Sequence, residues 1–165
     1  TGFLAGMGIT TTSALGAVAL SVIGMANIVG TLAAAWAGHR WSKKYLLAGI
    51  YTARTIVAAL FIAFPITPTS VLIFSVLMGA LWLATVPLTS GLIAHIYGLR
   101  YMGTLYGIVF FSHQLGSFLG VWLGGQLYDI HGDYTLVWWV GVAVGAFSAL
   151  VHLPVQERRM NAAPA

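Results

Sequence analysis

Four polar residues stand inside runs that are otherwise apolar: Asn27, Arg54, Thr85 and His113. An arginine in such a place is a fixed cation with five N–H donors. A histidine can take up and release a proton between about pH 5 and 8. Asparagine and threonine supply neutral hydrogen bonds. Arg54 lies nine residues beyond Tyr45 and His113 nine beyond Thr104, whereas Asn27 is eleven short of Gly38 and Thr85 ten short of His95. At about 1.5 Å per helical residue, each is roughly 14–17 Å from the end of its run. That is close to the middle of a hydrocarbon layer about 30 Å thick. The four share a depth, which is the geometry of a polar layer across a helical bundle.

Each residue has a structural alternative. Burying an arginine in hydrocarbon costs at least about 2.5–3.5 kcal/mol, so Arg54 is expected to face protein or water. It can meet an anion, or it can engage Tyr51 one turn away, nearby carbonyls or a carboxylate elsewhere. His113 shares a helix face with Tyr106, Ser117, Gly120 and Gly124. It fits a proton carrier and equally a neutral imidazole bonded within the bundle. Gln114 projects about 100° away from it and also fits interhelical glue. Pro87, flanked by Thr85 and Thr89, removes one helix hydrogen bond and collides with the preceding turn, freeing the carbonyl of Leu83. Hydroxyls or cavity water can satisfy loosened groups, so this kinked segment fits a cavity lining or a bare kink.

Other chemistries fare worse. The chain has no cysteine, which removes disulfides, thiolate metal sites and cysteine nucleophiles. No metal site or cofactor is expected; haem would need axial histidines at matched depth, for which His95 and His152 are a weak pair. Ser112 adjoins His113 in sequence, hence points about 100° away on a helix, a poor nucleophile–base pair. No carboxylate lies within any apolar run. The expectation is that the chain is not an enzyme and has no catalytic residues.

The elements that hold the polar layer follow from composition. Hydrophobic residues make up 59% of the 165 and charged residues 6%, against about 25% charged in a soluble domain. The surplus apolar surface must face a lipid bilayer. Five runs reach the length of about 20 residues that a membrane helix needs: 14–37, 45–64, 70–94, 104–127 and 134–153. The fold expected is all-α, with residues 1–13 an outer loop after a missing helix and 154–165 a cytoplasmic tail. Lys and Arg sit in short connectors rather than on one solvated face, so no nucleic-acid partner is expected. Arg40, Lys43, Lys44, Arg100, Arg158 and Arg159 fall on one side, and Asp129 and Asp133 on the other. This positive-inside pattern places the first residue outside and the last in the cytoplasm. Small residues recur every fourth position at Ala26, Gly30, Ala34 and Gly38, at Ser112, Gly116, Gly120 and Gly124, and at Gly141 and Gly145, which is the pattern of close helix packing in lipid.

The connector Gly38-His39-Arg40-Trp41-Ser42-Lys43-Lys44, the stretch Trp82 to Gly91 containing Pro87, and Gly107 to Gly116 with Ser112-His113-Gln114 resemble the major facilitator superfamily. Within it they are most similar to bacterial monocarboxylate-porter-like and oxalate–formate-antiporter-like members. Arg40, Lys43 and Lys44 match basic positions of the superfamily's repeated loop, while His39 replaces its usual Asp and Ser42 its usual Gly. The resemblance implies most of the C-terminal six-helix half of a twelve-helix transporter, helices eight to twelve, with the N-terminal half as its missing partner. It also implies alternating access around a central site. The function it implies is secondary active transport of a small organic solute, a monocarboxylate-like anion, with proton coupling one option, in the bacterial inner membrane. The loop Gly38 to Lys44 would move with the conformational cycle. Substrate-binding or coupling residues would come from Asn27, Thr85, Thr89, His113 and Gln114, with Arg54 more peripheral. The alternative is a non-transporting membrane scaffold or receptor subunit.

Overall fold

The computed structural model describes residues 12–158. Residues 1–11 of the expected outer loop, and Arg159 with the remainder of the tail, lie outside them, while residues 12 and 13 of that loop belong to the first helix. The described chain is six α-helices without a strand: α1 (Thr12–Arg40), α2 (Lys43–Ala63), α3 (Pro68–Trp82), α4 (Thr85–Tyr97), α5 (Met102–His131) and α6 (Thr135–His152). They make five spans long and apolar enough to cross a membrane, because α3 and α4 together form one span, Pro68–Tyr97.

Most helices run past the apolar stretches that announce them. α1 continues through His39 to Arg40, a cation that interacts favourably with the negative end of the helix dipole. α2 stops at Phe64, whose backbone is extended ahead of Pro65. α3 starts on a reciprocal cap: Ser70 N–H donates to Thr67 Oγ1 at 3.1 Å and Thr67 N–H to Ser70 Oγ at 2.8 Å, with Pro68 in the first turn, where no N–H is required. α4 and α5 each end on a glycine at positive φ, Gly98 (76°) and Gly132 (75°). A residue with a Cβ would be strained at either position.

The third span breaks at Leu83 and Ala84, one turn before Pro87. The ring of Pro87 excludes the carbonyl of Leu83 from the normal ladder, and the Val86 N–H closes on that carbonyl at 3.0 Å instead. On the other side of the break, Asn27 Oδ1 accepts the Leu83 N–H at 3.0 Å. A side chain from α1 thus holds the discontinuity.

Packing is strongest between α1 and the α3–α4 span and between α2 and α6. Gly30 lies directly against the backbone of Ala80, with no room for a Cβ. A Cβ on Gly79 would stand 2.7 Å from the Ile23 carbonyl oxygen, and one on Gly38 2.8 Å from Leu88 Cδ2. Leu47, Ala84, Leu88, Leu92 and Ala34 form the buried core beside these contacts. Gly145 of α6 meets Thr55 of α2, and Phe61, Phe74 and Trp138 cluster at the opposite end, with Phe61 and Phe74 stacked at 4.3 Å. The small-residue stripe of α1 therefore packs as its spacing predicts. In α5, however, a Cβ would meet a neighbour at Gly124, Val137 Cγ1 at 3.6 Å, but would meet nothing within 4 Å at Gly116 or Gly120 among the described residues. α5 is held at its two ends and stands away from the bundle between them.

Candidate functional site

Beside the first half of α5 lies a cavity of about 390 Å³ bordered by α2, α4, α5 and α6. Thr85 and Thr89 reach it from α4, and Tyr106, Ser112 and His113 from α5. Three sequence candidates, Thr85, Thr89 and His113, thus share one cavity. The His113 ring leans on Phe110 one turn earlier, with centroids 6.1 Å apart. Its ring nitrogens make no hydrogen bond among the described residues, and its backbone carbonyl accepts from Ser117 Oγ at 3.0 Å. The Ser112 hydroxyl donates to the Val109 carbonyl at 2.7 Å. It is therefore not disposed as a nucleophile on the neighbouring imidazole.

Tyr51 and His152 complete the wall of this cavity, and periodicity does not reveal either. Their rings stack with centroids 5.0 Å apart, and His152 Nδ1 donates to the Ser148 carbonyl at 2.6 Å. A carbonyl only accepts, so the hydrogen resides on Nδ1 and Nε2 is the nitrogen left for a ligand or a proton. The pair arises from the packing of α2 against α6, between residues 101 positions apart, which no local pattern encodes.

The other candidates lie elsewhere. Asn27 holds the helix break, as described. Gln114 is exposed and borders no part of this cavity. Arg54 lies 5.0 Å from the Trp82 ring centroid and 5.6 Å from that of Tyr51, and faces a different cavity, between α2, α3 and α6. Of the alternatives open to Arg54 in the sequence, a hydrogen bond to Tyr51 is not formed; the guanidinium lies near the Tyr51 ring instead.

The basic loop forms a second polar centre. Gly38 is buried under Leu88, and the Arg40 guanidinium lies 5.1 Å from the Trp36 ring centroid. Ser42 stands at the N-cap of α2 but gives it no side-chain hydrogen bond. That role falls to Glu157, whose Oε1 accepts the Lys44 N–H at 3.1 Å, while the Lys44 ammonium reaches back to the Leu153 carbonyl at 3.3 Å. Burial raises the Glu157 pKa. The neighbouring Ser42 hydroxyl, the Lys44 and Lys43 N–H groups and the Lys43 charge outweigh it and hold the carboxyl below its usual range. Ser42 Oγ contributes by proximity, without a hydrogen bond of good geometry. The loop itself contains no carboxylate, and the one that meets its backbone comes from a residue 113 positions after Lys44.

Comparison with known proteins agrees with this architecture. A segment of 80 residues is 34% identical to the uncharacterized MFS-type transporter YcxA of Bacillus subtilis (strain 168), covering 48% of this chain and 20% of that protein. The match therefore spans about a fifth of the relative's length. No solved structure matches the chain. Residues 3–164 match the profile of the Major Facilitator Superfamily, and with its five membrane-length spans the chain belongs to that family.

Proposed function

We propose that this chain works as part of a secondary active transporter for a small organic solute, a monocarboxylate-like anion, operating by alternating access with an N-terminal half. Family membership supports transmembrane transport of a solute. The observation that carries the finer reading is His113: a mid-span imidazole with no protein hydrogen-bond partner among the described residues, in a cavity that also bears the hydroxyls of Thr85 and Thr89. An imidazole and two hydroxyls are suited to an anionic oxygen and can be coupled to a proton. The helix break beside Thr85, pinned by Asn27, supplies a point about which the cavity wall can move. The basic loop, with its Glu157 contact, would face the cytoplasm of a bacterial cell and shift during the cycle, and Gln114, directed away from this cavity, would meet the other half. The rival reading, a scaffold or receptor subunit, accounts for the close packing of α1 but gives the unpartnered imidazole no task.

The test uses the full-length protein in liposomes with gradients across a panel of small monocarboxylates. Transport that His113→Gln reduces by about tenfold or more, or strips of its pH dependence between about pH 5 and 8, supports the reading. Wild-type transport with an unchanged pH profile in the variant would remove His113 from the site. Absence of any coupled flux across the panel would favour the scaffold.

A further inference from the structure

Arg54 is the strongest chemical anomaly in the molecule. It lies 11 residues into α2, about 16 Å from the start of that helix, near the middle of the apolar layer. Its guanidinium rests near the rings of Trp82 and Tyr51, contacts that offset part of its charge but accept none of its five N–H groups at their edges. Among the described residues it has no hydrogen bond and no ion pair. The chain contains three acidic residues, Asp129, Asp133 and Glu157, and each is at a helix end or beyond one. A cation so placed requires an acceptor, and among the described residues none is within hydrogen-bond reach of it.

The space next to it shows the form of that acceptor. Arg54 borders a cavity of about 420 Å³ whose other walls include Met78, Val137, Trp138, Gly141 and Val144. Tyr51, Thr55 and Ser148 also line it, near Arg54 in sequence or one helix over, but it holds no second charge. One cation in a mostly apolar crevice is the complement of an anionic head on an apolar body. The guanidinium fork matches a carboxylate in two parallel hydrogen bonds. Entry also favours a carboxylic acid over a lipid phosphate. The acid reaches mid-membrane by binding a proton and crossing hydrocarbon neutral, then releases that proton to water when it ionises beside Arg54. A lipid phosphate, monoester or diester, keeps at least one negative charge throughout. We propose that the crevice between α2, α3 and α6 is a binding site for an amphipathic carboxylate, held by Arg54 through its head and by Met78, Trp138 and Val144 through its body. This site adjoins the His113 cavity, with Tyr51 lining both, and does not rest on the transport reading.

The experiment measures binding of dodecanoate to the full-length protein in nanodiscs by native mass spectrometry. Dodecanol, acetate and dioleoyl phosphatidic acid serve as competitors. Dodecanoate should bind, and its Kd should rise by about tenfold or more in Arg54→Gln and recover in part in Arg54→Lys. Gly141→Leu gives a second arm that leaves the cation in place. A Cβ there meets nothing within 4 Å, so the larger side chain should fill the crevice and weaken binding comparably. Dodecanol and acetate, each lacking half of the chemistry, should displace poorly. Undiminished binding in both Arg54→Gln and Gly141→Leu would overturn the proposal. So would failure of the wild type to bind, as expected if a carboxylate from another helix of the full-length protein already occupies Arg54. Displacement by phosphatidic acid as effective as by dodecanoate would assign the site to a lipid headgroup and equally overturn it.

Discussion

Lys44 and Glu157 cap two helices at once: the carboxylate of Glu157 takes the first free N–H groups of α2, and the ammonium of Lys44 takes a carbonyl at the end of α6. Each charge sits at the helix terminus whose dipole favours it. The contact joins the first basic loop to the segment that follows the last span.

Acidification should open this contact. Because the folded pKa of Glu157 is lowered, its stabilisation is complete above the unfolded carboxyl value, about 4.3, and is lost as pH falls through the lower folded value. Amide exchange at Lys44, taken relative to the intrinsic rate at each pH, should be slow at neutral pH and should accelerate as pH falls below the unfolded carboxyl value. In Glu157→Ala it should be fast throughout, with a stability loss of about 0.5 kcal/mol, less than a fully buried cap would cost because the carboxylate is partly screened by solvent. A Lys44 amide insensitive to both changes would remove the contact from solution.

Asn27→Leu should loosen the break in the third span without affecting helix content. It leaves the Leu83 N–H without its side-chain acceptor, at a cost of about 1–3 kcal/mol. Asn27→Asp keeps an acceptor oxygen but adds a charge at mid-depth. The expected order of thermal stability is wild type, then the leucine variant, then the aspartate variant, read from the unfolding midpoint in detergent.

Gly30→Ala should destabilise by about 1–3 kcal/mol, since the new methyl meets rigid backbone at Ala80 rather than a side chain that can turn aside. Gly49, in α2, has nothing within 4 Å of an added Cβ. Gly49→Ala should therefore stabilise by about 0.5–1 kcal/mol through helix propensity alone. Equal effects of the two substitutions on the unfolding midpoint would contradict the α1–α3 contact.

The orientation implied by the basic residues is open to labelling, and the chain begins free of cysteine. Ser42 and Gly132 mark the two sides in sequence, but the Ser42 hydroxyl is buried and Gly132 needs a φ of 75°. Trp41 and Ile130, 57% and 72% exposed, are the better positions. Cysteine at Trp41 should react with an impermeant reagent only from the cytoplasmic side, and cysteine at Ile130 only from outside. Reaction of both from one side would break the five-span topology.

The spans were legible because about 20 apolar residues in succession have few alternatives to a membrane helix. Pro87 likewise announced the break, and even which carbonyl it would release. The partners were hidden. Nothing near Leu83 in sequence points to Asn27, 56 residues earlier, and nothing in the basic loop points to Glu157. Those pairings exist only after α1 has met α3 and α2 has met α6. His113 and Thr85 were recoverable as polar residues at one depth and Thr89 from the segment around Pro87, while Tyr51 stood out only as a neighbour of Arg54 and His152 only as half of a weak haem pair. Depth is encoded locally, and neighbourhood is not.

The pairing of α2 with α6 also constrains how the protein is made. Tyr51 leaves the ribosome 101 residues before His152, a delay of roughly 5–20 s at ordinary rates of synthesis. The ring of Trp82 reaches Arg54 after 28 residues, within a few seconds, but the α6 wall of the crevice comes last. During that interval α2 must wait in the membrane with its arginine only half enclosed. A helix in that state is the natural client of whatever cellular factor shelters polar segments beside the insertion channel, and slowing synthesis between α4 and α6 would lengthen its exposure.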